Sequence, residues 1–238
     1  MLVIKSRKRY MEFGVVFIHW SVYMGGMATP TPTTRDRIVQ AASRLFYGEG
    51  IRAVSLDAIA EKAGVTKRTL YYHFASKDDL VAAYLEARDQ PNLALFKRWF
   101  AQTDGGLTDK VRGIFRHLAT SARSPKWRGC GFLRTTAELA NLPGHPAIAV
   151  GRSHKKGFEG WLAITFEEAG IADPSALARQ IVLLLDGSFA TVLLHRDPSY
   201  METAGDAAAI LITAALAARI ETCPGEITNR GDGEQKAT

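Results

Sequence analysis

Thr66, Lys67, Arg68, Thr69, Tyr71, Tyr72 and His73 place hydroxyls, cations and aromatic rings at seven positions of one eight-residue span. This set suits a phosphodiester duplex. An arginine can bond guanine O6 and N7 with both arms of its fork, whereas hydroxyls, lysines and helix N-termini grip phosphate oxygens without reading bases. The flanking tract, Ser55 to Lys77 (SLDAIAEKAGVTKRTLYYHFASK), supplies a scaffold for these groups. Ser55 and Thr66 are N-cap residues, Gly64 supplies a left-handed turn, and Ala60 lets two helices cross closely. Ile59, Ala63, Val65 and Leu70 are apolar where the pair must pack against a first helix. The pattern predicts helices over 55–63 and 66–74, the second presenting its polar face to a major groove. Tyr71 and Phe74 also suit a core position, and Lys62 suits a solvated surface.

The rest of the chain reads as helices that position this pair. Ile38, Ala41, Ala42, Leu45 and Phe46 recur at the spacing of one buried helical face, and Gly48 and Gly50 end that helix. Ser76 opens a fourth helix with Leu80, Ala83, Tyr84 and Ala87 on one face, which Pro91 should kink or break before Leu95 to Phe100 continue it. Beyond Gly105-Gly106, helices are expected at about 107–123, 130–141, 146–169, 174–195 and 200–222. No segment alternates as a strand does, so the expected class is all-α.

The run LFYGEGIRAVSLDAIAEKAGV, followed by TLYYHFASKDDL, makes residues 34–90 resemble the N-terminal domain of the tetracycline-repressor (TetR) family of bacterial regulators. The resemblance implies that Lys67 and Arg68 reach base edges. It also implies that Thr66, Tyr71, Tyr72, His73 and Lys77 hold phosphates, with Thr34 and Ser55 as lesser backbone contacts. Arg68 stands where many relatives have Gly, so their sequence preference does not transfer. Residues 91–222 are then a helical ligand-binding and dimerisation domain. The expected protein is a cytoplasmic homodimeric repressor that binds a palindromic DNA operator and is released by a small-molecule inducer, with no cofactor or metal. An activator, a ligand-independent regulator and a helical small-molecule carrier are the alternatives.

Two features support this second domain. Ala176 to His195 is apolar nearly all round, and AGDAAAILITAALAAR follows on the next helix, so residues 174–222 suit a four-helix interface between two chains or a buried core. Asp186 near the centre of the first of these helices makes a membrane span costly. Phe96, Trp99, Phe100, Phe115, His117, Phe132, Phe158, Trp161 and Phe189 are candidates to line a pocket, although aromatics at helical spacing also suit plain core. Arg134, Glu138 and Asp186 are the polar groups expected to orient a ligand. The segment Gly129-Cys130-Gly131-Phe132-Leu133-Arg134 to Glu138 resembles a Gly-Cys…Glu stretch of one branch of the family, which often has Asn in place of Arg134. Cys130 is expected to be a buried small hydrophobe rather than a redox sensor. Seven Lys/Arg and no acid lie between Lys110 and Arg134, a solvated face or a site for an anionic inducer. Gly151, Gly157 and Gly160 weaken their helix or mark its ends.

Composition closes off other classes. Of the net charge of +6, residues 1–26 carry +3, residues 27–78 carry +3, and the remainder balances, so an acidic partner is expected at the first third. Two cysteines cannot staple a secreted scaffold, which points to a reducing compartment. Residues 1–27 imitate a secretory signal, but Glu12 and His19 interrupt a run too short to cross a bilayer. A later start at Met24 or Met27, or a soluble arm, are the other readings. Residues 223–238 read as a disordered tail. Gly48-Glu49-Gly50-Ile51-Arg52-Ala53 spells a dinucleotide fingerprint but follows a helix, not a strand. No nucleophile elbow, phosphate loop, HExxH or paired-cysteine motif is present, so no enzyme is expected.

Overall fold

A computed structural model describes residues 31–221. The expected N-terminal extension (1–27) and C-terminal tail (223–238) lie outside the described residues. Among the described residues the chain is helical throughout: α1 (Thr34–Glu49), α2 (Leu56–Ala63), α3 (Lys67–His73), α4 (Lys77–Gln102), α5 (Leu107–Ala122), α6 (Gly131–Glu138), α7 (Pro146–Glu168), α8 (Pro174–His195) and α9 (Ser199–Glu221).

The first four helices start where side-chain hydroxyls say they must. Thr33, Ser55, Thr66 and Ser76 each accept a hydrogen bond from the backbone N–H three residues on, satisfying donors that a helix start leaves unpaired. Thr33 and Asp36 complete a reciprocal capping box. Gly64 ends α2 with φ 65° and ψ 42°, the left-handed turn that a β-carbon disfavours.

Two apolar cores result. Ile38, Ala42 and Phe46 of α1 meet Ile59, Leu70 and Leu80 in the first, which also takes in Phe132 of α6 and Leu139 just after it. Leu45 is only half-buried, and Ala87, grouped with Tyr84 by spacing, is exposed. The second core is built from the far half of α4 with α5, α7, α8 and α9. Helix α4 belongs to both: Leu80 to Leu85 fill the first core, and Leu95, Phe96 and Trp99 fill the second.

The expected break at Pro91 does not occur, because α4 runs through it for 26 residues. Pro91 and Ala87, whose carbonyl loses its donor, are both exposed, so water can satisfy that group. Packing in two cores outweighs a penalty of about 3 kcal/mol for an interior proline.

Helices α8 and α9 are long and apolar enough to cross a membrane, with mean hydropathies of 1.6 and 1.3 over their most apolar windows. They are instead core helices of this fold. Leu185, Phe189 and Val192 of α8 and Ala208 and Ile212 of α9 are buried against the other helices. Three acids on these helices are paired across the packing: Asp186 with Lys155, Asp206 with Arg112 at 3.0 Å, and Glu202 with Arg123 at 2.9 Å.

Two histidines sit at the edge of this packing. His154 stacks on Phe132 with ring centroids 3.7 Å apart, and its Nδ1 lies 2.7 Å from Asp89. Burial pushes its pKa below the usual imidazole value, against the opposing pull of Asp89. His117 is exposed but stacks one ring face on Trp99, and the partial desolvation there shifts it down as well. Both groups therefore take up a proton more readily in the unfolded chain. Their contribution is fully present above the unfolded value, about pH 6.5, and is lost as pH falls. Chemical denaturation between about pH 7.5 and 5.5 should show falling stability, with a smaller fall in His154→Gln. An equal fall in the variant would remove His154 as a source.

Candidate nucleic-acid interface and ligand cavity

Helix α3 divides its residues sharply. Leu70 is fully buried and Phe74, at its C-cap, is 4% exposed, whereas Tyr72 is 85% and Tyr71 48% exposed. Phe74 is thus core, and Tyr71 stands largely in solvent. Lys67 and Arg68 are exposed, and His73 is half-buried against the edge of the Tyr72 ring. Thr66 caps the helix and its hydroxyl lies 2.8 Å from that of Thr69. Ser55 is engaged in capping α2, and Thr34 is half-buried in the first turn of α1.

Two cations of the expected interface are not simply presented to solvent. Lys67 Nζ lies 3.0 Å from Asp57, whose hydrogen bond raises the ammonium pKa. Lys77 is half-buried in the first turn of α4, where desolvation lowers its pKa despite nearby Asp78 and Glu138. Arg37, not singled out by the sequence pattern, clamps the helix-turn-helix from behind. Its Nη2 donates to the carbonyls of Ala63 at 2.6 Å and Gly64 at 3.0 Å.

A polar seam ties α6 to this head. The Glu138 carboxylate accepts from the backbone N–H groups of Ile51 (2.8 Å) and Arg52 (3.2 Å). Arg52 answers by donating to the Glu138 carbonyl and to Asn141. Arg134 donates to the Tyr47 carbonyl at 2.8 Å. The Tyr47 hydroxyl donates to the Gly129 carbonyl and accepts from the Arg128 N–H. Glu138 and Arg134 therefore serve the junction with α1 and its following turn.

The cavity lies at the other end of α6. It measures about 60 Å³ and is walled by α4, α5, α7, α8 and the turn entering α6. Phe96, Trp99, Phe158 and Phe189 line it, as expected from sequence. The other candidates are placed elsewhere: Phe115 fills the core beneath Gly205, and Phe132 packs in the first core. Phe100 and Trp161 pair edge to face, His117 lies behind Trp99, and Asp186 pairs with Lys155. Tyr47, Arg88, Trp127 and Lys155 line the cavity without having been singled out. Cys130, expected to be buried, is half-buried on the cavity wall beside Lys155. Burial works against the Lys155 charge, but Cys130 and Asp186 together hold its pKa above the ordinary value. Gly131 is required here, since a β-carbon would stand 2.7 Å from the Tyr84 hydroxyl. None of the seven cations between Lys110 and Arg134 lines this cavity; Arg112 and Arg123 pair with α9 instead.

Comparison with known proteins places this architecture. The family model described as bacterial regulatory proteins, tetR family, matches residues 38–84. The chain is 46% identical over 95 residues to the HTH-type transcriptional regulator TtgR of Pseudomonas putida, covering 38% of the chain and 45% of that protein. It is 41% identical over 64 residues to SrpR of the same species, covering 27% of the chain and 30% of SrpR. The matched stretch thus spans less than half the length of these curated relatives. Solved structures extend the likeness across both cores. SCO4454, a TetR-family transcriptional regulator from Streptomyces coelicolor, shares 33% identity over 80% of this chain and 91% of its own, with a TM-score of 0.66. A putative TetR regulator from Streptomyces avermitilis shares 29% identity over 74% and 98%, with a TM-score of 0.62. With its capped helix-turn-helix and helical second core, this chain belongs to the TetR family of bacterial transcriptional regulators.

Proposed function

We propose that this regulator is a homodimeric repressor that binds a palindromic DNA operator through α3 and is released when a small molecule occupies the α4–α8 cavity. Residues 34–90 form the DNA-binding domain and residues 91–222 the ligand-binding and dimerisation domain, and the protein works in the cytoplasm. The observation that carries the reading is the division of α3: Leu70 is fully buried while Lys67, Arg68, Tyr71 and Tyr72 stand on the surface. Arg68 and Lys67 read base edges. Thr66, Tyr71, Tyr72, His73 and Lys77 hold phosphates, with Thr34 and Ser55 as lesser contacts.

Dimerisation draws support from apolar surface left over after both cores are built. Leu183 and Leu194 on α8 are 66% and 77% exposed, and Ile210 on α9 is 69% exposed. Gly187 and Ala190 lie between the two leucines on the same exposed face, and Ala214 and Ala217 extend the Ile210 face. Small residues between large ones let two such helix pairs approach closely. A two-fold dimer then places two recognition helices on half-sites about one helical turn, or a multiple of it, apart.

The seam supplies a route for release. Helix α6 carries the cavity wall at Gly131 and the grip on the Ile51–Arg52 turn at Glu138. A ligand that favours one placement of α6 biases the placement of the DNA-binding domain, and DNA reciprocally biases ligand affinity.

Selection of bound duplexes from a random pool by the full chain tests the reading directly; enrichment of an inverted repeat is expected, and none would refute it. On the selected site, Arg68→Ala should relax base preference and lose about 1–3 kcal/mol of discrimination. Lys77→Ala should weaken binding to all duplexes alike and shallow the salt dependence by about one unit of slope. The Lys67–Asp57 pair makes a third expectation: Asp57→Asn should raise affinity for every duplex and steepen the salt dependence. An unchanged slope would mean that the pair does not mask Lys67. Finally, Ile210→Glu should convert a dimer to a folded monomer in light scattering and lose tight operator binding. A variant that stays dimeric would move the interface off α9.

A further inference from the structure

Every charged group lining the cavity is a cation or a neutral histidine. Arg88 comes from α4, Lys155 and His154 come from α7, and no carboxylate is among the lining residues. Two of these are already answered from behind. Lys155 pairs with Asp186, and His154 bonds Asp89, with burial disfavouring its charge. Arg88 is different. Its Nε is buried without a hydrogen-bond partner, and no carboxylate among the described residues pairs with it. Its guanidinium lies 5.0 Å from the Tyr47 ring centroid and 5.7 Å from that of Tyr84, faces that hold a cation but satisfy none of its N–H donors. A buried donor left unmet is costly in a folded protein and asks for a partner.

The remaining wall specifies what carries that partner. Trp99 and Phe96 lie 5.7 Å apart by ring centroids, Phe158 stands 5.0 Å from Phe96, and Trp127 stacks with Phe189. These faces suit a flat, polarisable ring. The volume of about 60 Å³ holds only a few waters, so a ring enters only as the wall side chains move apart, which favours a single small ring over a large ligand. The turn Gly129-Cys130-Gly131 brings the N-terminus of α6 onto the same wall, and Cys130 makes no side-chain capping bond there. This adds a favourable field for negative charge beside Arg88.

We infer that the cavity binds a small aromatic monoanion of the carboxylate class, its ring among Trp99, Phe96 and Phe158 and its acidic group on Arg88. The inference rests on the proposed ligand-binding role of this cavity and names the ligand class. One negative charge matches one unanswered cation, since Asp186 already neutralises Lys155. The cationic run from Lys110 to Arg134 has no part in it.

Trp99 and Trp127 on the cavity wall give the readout. The full-length protein is titrated with benzoate and 1-naphthoate, with the corresponding uncharged amides, and with benzylamine, following tryptophan fluorescence and confirming by calorimetry. At least one carboxylate should bind saturably, with its amide at least tenfold weaker and benzylamine not bound. Arg88→Gln should remove at least tenfold of the carboxylate affinity and abolish the preference over the amide. Lys156→Gln, which deletes a charge one position from Lys155 on the exposed side of α7, should bind as the unaltered protein does. Arg88→Lys covers the case in which Arg88→Gln fails to fold: it keeps the charge but loses the fork, and should retain the preference for acid over amide at reduced affinity. The proposal is overturned if amides or benzylamine bind as tightly as the acids, if Arg88→Gln binds unchanged, or if no carboxylate binds at millimolar concentration. Operator affinity is measured separately on the same samples. A carboxylate that binds without altering DNA affinity would refute ligand release while leaving the anion site standing. Absent carboxylate binding with intact operator binding would do the reverse.

Discussion

The Glu138 carboxylate, accepting the backbone N–H groups of Ile51 and Arg52, is the interaction on which the two halves of this molecule depend. A carboxylate drawn toward a protein interior is stable only when its oxygens are met, and here the turn after α1 meets them. The turn can do so because Gly50 adopts φ 92° and lies against Glu138: a β-carbon there would stand 3.2 Å from Oε1. The glycine that resembled part of a nucleotide fingerprint is therefore explained by close approach to a carboxylate. Around this bond Arg52, Arg134 and Tyr47 complete a seam in which each polar group has a partner from the opposite half. The first core accordingly reaches across it to include Phe132 and Leu139.

Helix α3 shows a similar economy of charge. Lys67 is held by Asp57 on the neighbouring helix, so part of the positive charge of α3 is already answered within the protein. Both partners of this pair are largely exposed, which makes it weak and easily exchanged for a better acceptor.

Most of the fold was legible because its helix ends are chemically marked. Ser55, Thr66, Ser76, Gly50 and Gly64 cap or stop helices by local bonds that do not wait for tertiary structure. The exposed side of α3 was legible for the same reason, since the buried position of Leu70 fixes the rotation of a seven-residue helix. The break allowed for at Pro91 is absent because the proline's cost is local while the two cores that overcome it lie on either side. The cavity was only partly legible. Helical spacing says which residues share a face but not which face turns inward, so Phe96 and Trp99 reached the cavity while Phe115 went into the core. Arg88 and Lys155 carried no sequence signal, because a cation on a helix ordinarily points to solvent. Glu138 and Arg134 were expected to orient a ligand, but neither lines the cavity; their partners lie some 87 residues away in the chain, beyond the reach of local pattern.

The sizes of these interactions bear on whether so small a seam can serve a switch. A hydrogen bond inside a protein contributes about 0.5–1.5 kcal/mol net, and coupling between two sites typically needs about 1–3 kcal/mol. Rearranging two or three of the bonds made by Glu138, Arg52, Arg134 and Tyr47 would therefore supply a full coupling energy without disturbing either apolar core. The cores resist deformation, since close packing favours discrete arrangements over gradual ones. Helix α4 is shared by both and fixes their separation along its length. Helix α6 is short and meets the cavity at one end and the α1–α2 turn at the other. A ligand acting through Gly131 would work on α6, which joins the DNA-binding half by exchangeable polar bonds as well as by Phe132 in the first core. In the proposed mechanism the stiffness of α4 and the weakness of the α6 seam are complementary: the first gives the seam a fixed frame to move against, and the second keeps the movement within reach of a small ligand's binding energy.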